Sequence, residues 1–328
     1  MSVVNLSALP APDVLEPLDF EDIYQEVLAD FRFQMGDNWT ALLESDPVVK
    51  LLEVAAYQKL MSRARINDAA KSSLLAYARG TDLDNRAADY GVERLTITEA
   101  DPDAFPPIPK LMEKDDALLY RTQLSLEGLS VAGSRGAYEF HGLSASANVA
   151  NISVDSPTFK AAEISQALRD QLPLGAIVLV CDYAAGLSNP LPGDVSLAVL
   201  PTFESTVEPA ALVATVQTAL SAEDVRPITD RPRSQLGQPT NFSIVAALEL
   251  LDGPSSVVVL AAANAALATA VKAARELEGE MSLSAIYAAL HVSGVRRVLL
   301  TQPTADVICD KRHYPNCTSI KVTGAVVS

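Results

Sequence analysis

Apolar residues recur at helical spacing through SDPVVKLLEVAAYQKLMSRARINDAAKSSLLAYARGTDLDNRAADYGVERL, residues 45–95. Val49, Leu52, Ala56, Leu60, Ala70 and Leu74 fall on one stripe, and Leu51, Val54, Met61 and Ala69 load the opposite side. Asp46 is a good N-cap, and Pro47 takes the first helical position, where its missing N–H costs nothing. No Gly or further Pro interrupts before Gly80, which supplies a stop. The pattern predicts a helix from Pro47 to Arg79, about 33 residues and about 50 Å long at 1.5 Å per residue. A helix apolar on more than one side is buried on more than one side. The chain has few other long helices to surround it, so other chains are expected to help cover it.

Arg63 and Asn67 interrupt the stripe one turn apart, where a core Leu is expected. A charged or amide group in a helix seam costs stability unless it is paired, and its best-attested use is to fix register or partner. The plainer reading is that the stripe twists and leaves both residues at a wet edge.

Elsewhere the pattern alternates between periods. Residues 1–18 carry Pro10, Pro12 and Pro17 among apolar residues, which suits an extended arm along a partner, or a frayed terminus. A helix is expected from Asp19 to Phe33, then a turn at 36–40 and a short helix leading to Asp46. Thr81, Asp82 and Asp84 offer caps for a further short helix ending near Gly91. VERLTIT reads as a strand, and ADPDAFPPIPK as a proline-rich break. Helices follow at 115–129 and 135–144. Beyond Ala145 strands appear in ANVANISVDSP, AIVLVCDY and VSLAVLPTF. A helix over 209–222 and a second proline-rich break at 226–232 come next. The last third predicts strand 242–250, helices 254–278 and 283–290, and strands 295–301 and 319–327.

These elements define an α+β multidomain chain: an N-terminal long-helix core region followed by two small α+β domains. The expected divisions are an arm at 1–18, a helical core-bundle region at 19–100, and a linker with a helical hairpin at 101–145. A middle α+β domain at 146–235 and a C-terminal α+β dimerisation domain at 236–328 complete it. In VSGVRRVLL, Arg296 and Arg297 sit side by side on opposite faces, so one points toward any covering layer unless the strand lies at an edge. An edge strand with an arginine, beside the alanine-rich helix LAAANAALATAVKAA, suits docking of a second copy. The alternative is a self-contained domain with both arginines in solvent.

Composition narrows the function. The chain has 328 residues, about half of them apolar, and a net charge of −16. Such an acidic chain is a poor match for nucleic acid or an anionic membrane. No window approaches 18 uninterrupted apolar residues, and the N-terminus lacks the basic region of a secretory signal. Neither membrane insertion nor secretion is therefore expected. Three cysteines imply no disulfide framework and suit a reducing cytoplasm.

No motif carries chemistry. His141, His291 and His313 lack triad partners. Cys309, His313 and Cys317 are spaced like helical zinc ligands, but Pro315 and strand-like flanks make them ordinary loop residues. Gly128, Gly133 and Gly136 match neither nucleotide-binding spacing and read as a close-packed helix–turn–helix. Asp82, Asp84 and Asp89 miss calcium-loop spacing. No catalytic, cofactor or metal site is expected. A glycan-cleaving tail enzyme is the alternative function, but one Trp and about 5% aromatic residues are thin for stacking on sugars.

Four stretches, in order, resemble one family: DPVVKLLEVAAYQKLMSRARINDAAKSSLLAYARGTDLDNRAADYGVER, YRTQLSLEGLSVAGSRGAYEFHGLSA, ALSAEDVRPITD and ALHVSGVRRVLLTQPTADV. Together they resemble the baseplate J-like family, wedge proteins of contractile phage tails and R-type bacteriocins, from about residue 15 to the C-terminus. The resemblance implies a structural role without catalytic residues. Two copies are expected to join one copy of a different wedge protein through the N-terminal helical core. C-terminal domains then link wedges into a ring around the tail hub, near the sheath-proximal proteins. The expected contact residues are Leu52, Leu60, Arg63, Asn67 and Leu74 in the core, and Arg296 and Arg297 in the C-terminal domain. Such a protein assembles in the bacterial cytoplasm and leaves within a virion or bacteriocin particle.

Overall fold

The computed structural model describes residues 4–36, 43, 45–130, 132–252 and 255–326. The turn and short helix expected ahead of Asp46 fall almost wholly outside these residues. The chain is mixed α+β, with helices first and sheet-containing parts after them. It divides into two compact units, Met1–Arg94 with Lys114–Gln123, and Leu95–Glu113 with Leu124–Ser328.

The first unit starts with an arm that contains a short 3-10 turn at Leu6–Ala8, followed by α1, Phe20–Met35. Asp19 caps α1 through its carboxylate and the Asp22 N–H. Helix α2, Pro47–Ser72, begins as its sequence dictates, with Asp46 Oδ1 accepting from the Val48 N–H at 2.8 Å. It ends seven residues before the expected Arg79. Ser72 and Ser73 turn their hydroxyls back onto the carbonyls of Ala69 and Ala70, which competes with the helical ladder. Turns fill the gap to α3, Gly80–Ala88. Leu74 therefore leaves the α2 stripe. The cap of α3 also differs from expectation: the Gly80 N–H donates to Asp115, at the start of α4, Asp115–Gly128. Asp84 instead pairs with Arg94, whose guanidinium also holds Asp115 at 2.8 Å. Packing of α1 on α2 buries Ile23, Leu28, Val49, Leu52 and Ala56.

The second unit holds two three-stranded sheets. In the first, β3 (Val149–Asp155) and β6 (Asp194–Pro201) pair antiparallel, and β7 (Arg231–Leu236) runs parallel to β6 at the edge. Helices α5 (Arg135–Ser144) and α7 (Pro209–Leu220) pack with it. The expected break at 226–232 thus runs into a strand. Pro232 is tolerated because β7 is an edge strand, where an N–H can be spared. A two-stranded ribbon, β4 (Thr158–Ala161) with β5 (Leu179–Tyr183), follows β3. Its loop contains a single-turn helix, α6, Gln166–Arg169.

The second sheet has order β10-β8-β12, with β8 (Gln238–Leu250) central, β10 (Val295–Gln302) antiparallel and β12 (His313–Val326) parallel to it. Helices α8 (Ser256–Ala274) and α9 (Leu283–Leu290) cover one face. The core gathers Ile244, Ala246, Leu248 and Leu250 with Val259, Ala263 and Leu267 of α8 and Ile286 and Leu290 of α9. By length and composition α8 could cross a membrane, but it lies on this sheet with three side chains buried in that core. Strand β12 is longer than the expected 319–327. It takes in His313 and Cys317, which are strand residues rather than loop residues, while Cys309 is buried just ahead of it.

The two sheets are joined at specific residues. Leu277 packs with Ala198 and Leu200 of β6 and with Tyr314. Arg275 lies over Phe203 at 4.1 Å and Tyr314 at 5.0 Å, and donates to the Pro201 carbonyl. Lys311 pairs with Asp155 at 2.8 Å, and Ser153 donates to Glu278 at 2.7 Å.

Candidate interaction surfaces

The α2 helix presents two apolar faces. Val49, Leu52 and Ala56 lie under α1, and Leu60 is half-buried. On the opposite side, at i, i+3, i+6 and i+10, Leu51, Val54, Tyr57 and Met61 are 67%, 57%, 53% and 48% exposed. Four large side chains in line over roughly 15 Å of helix make a continuous apolar strip, which is unusual for a surface that meets only water. Lys50, paired with Glu53 at 2.9 Å, flanks the strip at its N-terminal end.

The polar break in the buried face is filled by the same chain. Asn67 is 6% exposed, and its side-chain amide holds the backbone of Glu16. Arg63 contacts the carboxylate of Glu16 at 2.7 Å and that of Glu26 at 2.9 Å. Glu26, which Lys59 also contacts at 2.8 Å, titrates below the usual carboxylate range, mainly through its bond to Lys59. The sequence marked Arg63 and Asn67 as needing partners. It gave no sign that Glu16 of the arm supplies a partner to each of them, because the backbone groups that Asn67 holds have no signature in residue identity.

The C-terminal pair behaves differently. Arg296 and Arg297 are both exposed on β10, an edge strand. The register with β8 shifts between Val295 and Arg297, so Arg296 is the extra residue of a bulge. This extra residue explains the broken alternation: Val295 and Val298 both reach the core, and neither arginine enters it. Of the other expected contact residues, Leu52 is buried and Leu74 lies in the turn after α2, 39% exposed.

Groups that often carry chemistry have structural surroundings here. Among the described residues no cluster of three or more His, Cys, Asp or Glu could hold a metal ion. The His141 ring bonds the Gly128 carbonyl, and His291 caps α9. Burial pushes the Cys309 thiol up in pKa, away from the reactive thiolate. Gly128 and Gly136 sit where a methyl group would strike Phe140 and Glu127, which accounts for small residues there. The arrangement offers surfaces for association and no assembled reaction centre among the described residues.

Those surfaces lie in two segments that match known families. Residues 44–101, which contain α2 and α3, match the baseplate J-like N-terminal domain. Residues 242–323, which contain most of the second sheet and its helices, match the baseplate J-like protein C-terminal domain. The chain is similar to baseplate protein J of Escherichia phage P2, with 40% identity over 98% of both chains. A weaker likeness is to a chain in the baseplate of the anti-feeding prophage, at 15% identity and a TM-score of 0.27. It covers 92% of this chain and 53% of that one, and so carries no argument about arrangement. Matches at both ends, with identity that runs from one to the other, place the chain in the baseplate J-like family.

Proposed function

We propose that the chain is a structural subunit of the baseplate wedge of a contractile injection system, a phage tail or R-type bacteriocin, and not an enzyme. The apolar strip Leu51–Val54–Tyr57–Met61 carries this reading. It lies opposite the face that α1 already covers, so its burial requires another chain. Two copies of α2 and a helix of a second, different wedge protein would form a shared helical core around it. The C-terminal part, with its open strand edges, would join neighbouring wedges around the tail hub. The kinship with a phage baseplate protein supports the same role. Assembly would take place in the bacterial cytoplasm, before release in the finished particle. No observation favours the glycan-cleaving alternative.

The test is co-expression with the neighbouring baseplate genes. Leu51→Glu with Met61→Glu should leave the folded chain within about 0.5 kcal/mol of its parent, as surface changes do. The same pair should abolish co-purification with the second wedge protein and particle assembly. Intact assembly with both substitutions would refute the shared core.

A further inference from the structure

The proline-rich run between β1 (Thr96–Thr98) and β2 (Leu111–Met112) is a built loop. Asp101 and Ile108 exchange two backbone hydrogen bonds, each 2.9 Å. The Asp101 carboxylate accepts from the N–H groups of Asp103 and Ala104 at 3.1 and 3.2 Å, which closes a turn. Four prolines, at 102, 106, 107 and 109, restrict the rest. At the apex Phe105 is 102% exposed, and Ile108 beside it is 43% exposed. The loop is acidic: Glu99, Asp101 and Asp103 precede Phe105 within six residues, against the single Lys110. A pre-ordered loop loses little entropy on docking, and a lone aromatic with fixed surroundings is the usual form of an interface anchor.

A surface of opposite character lies on β10. The side chains of Arg296 and Arg297 make no hydrogen bond or ion pair among the described residues, and Leu299, two residues beyond Arg297, is 40% exposed. Arg297 and Leu299 stand opposite Glu249 and Ala247 of β8, on the sheet face away from α8 and α9. The outer edge of β10 has no strand partner. Charge along the chain is divided in the same sense. Residues 1–235 carry 34 acidic and 18 basic side chains, whereas residues 236–328 carry seven of each. The second copy of this chain therefore offers an acidic loop with an aromatic tip a neutral region with two free cations and an exposed Leu.

We infer that the 99–110 loop of one copy docks on the Arg296–Leu299 edge of another, with Phe105 against Leu299 and Glu99 and Asp103 facing the two arginines. This contact joins two different surfaces, so it runs head to tail and can propagate around a closed ring. The inference deepens the ring arrangement proposed above by naming two surfaces that meet in it. It does not depend on the α2 core.

The test uses the purified full chain without other baseplate proteins, so its outcome is separate from that of the co-expression experiment. A photo-reactive benzoylphenylalanine replaces Phe105, and equal amounts of isotopically light and heavy chain are mixed at high concentration and irradiated. Cross-links should join position 105 to peptides containing residues 295–302 of the other isotopic form. Raising the ionic strength should reduce them, because the contact is an exposed charge pairing. R296E with R297E should lower the yield about tenfold, as expected for reversed charges at an interface. Adding E99K and D103K to that variant should restore it. Cross-links within one copy, cross-links to another part of the chain, absence of any, or a yield indifferent to charge reversal would each overturn the inference.

Discussion

The side chain of Asn67 and the backbone of Glu16 bond reciprocally. The Glu16 N–H donates to Asn67 Oδ1 at 3.0 Å, and Asn67 Nδ2 donates to the Glu16 carbonyl at 2.7 Å. One amide on α2 thereby performs the pairing that a strand neighbour would perform, and it fixes the arm against the helix just before the chain enters α1. An amide can do this because its donor and acceptor point the same way from one plane.

Asn67→Ala should cost about 1–3 kcal/mol, the penalty for leaving two backbone groups of Glu16 without their partner and a small cavity in α2. Urea unfolding measures the loss. Amide hydrogen exchange at Glu16 should rise with it, while exchange within α2 changes little. Unchanged protection at Glu16 would show that the arm is held by other contacts.

Arg63→Ala should lower stability by less than Asn67→Ala does. Its two carboxylate partners are about half exposed, at 50% and 49%, so water replaces much of what the guanidinium supplies. The difference should shrink further in high salt. An equal or larger loss in thermal unfolding would mean that Arg63 is enclosed more fully in solution than these exposures imply.

Asp194 contributes a share of stability that depends on acid pH. Its carboxylate has no exposed surface and meets Arg231 at 2.6 Å and Arg233 at 3.2 Å. Burial alone would raise its pKa, but the Leu191 N–H and the two guanidinium groups outweigh burial and hold it below the usual range. The folded state thus binds this proton less readily than the unfolded state. The stabilisation is fully present above the ordinary Asp pKa of about 4 and is lost as pH falls through the lower, folded value. Asp194→Asn should flatten this dependence. Denaturation series between neutral and strongly acidic pH should then show wild type and variant converging as the pH drops. Parallel curves would remove Asp194 from the acid transition.

Gly193→Ala should destabilise the β6–β7 pair. Gly193 has φ of +87°, and an added Cβ would lie 2.6 Å from the Thr229 carbonyl oxygen. The strained backbone alone costs about 1–3 kcal/mol. Its carbonyl also accepts the Arg231 N–H at 2.7 Å, at the point where β7 begins. Thermal unfolding should show a reduced midpoint, with hydrogen exchange raised first along Arg231–Leu236. A variant as stable as the parent would mean that the turn can relax at no cost.

Residue identity alone determined the elements whose signals are local. Asp46 and Pro47 start α2, because cap and first-turn chemistry acts within a few residues. The apolar strips of α2 were also readable, as was the polar break at Arg63 and Asn67, which left a paired seam and a wet edge both open. What only the tertiary structure decided depends on groups that identity does not encode. The partner of Asn67 is a backbone amide 51 residues away. Ser72 and Ser73 ended α2 early by their choice of carbonyl, which a long apolar pattern does not forbid. Pro232 closes a stretch that reads as a break and Pro315 lies in one that reads as a loop, yet both lie in strands, β7 and β12, because each strand is at a sheet edge. Whether a missing N–H matters depends on which neighbour stands beside it, and that is a property of the assembled sheet. The bulge at Arg296 has the same origin: one extra residue against β8 turned an apparent conflict over two arginines into a strand with both in solvent and both flanking valines in the core.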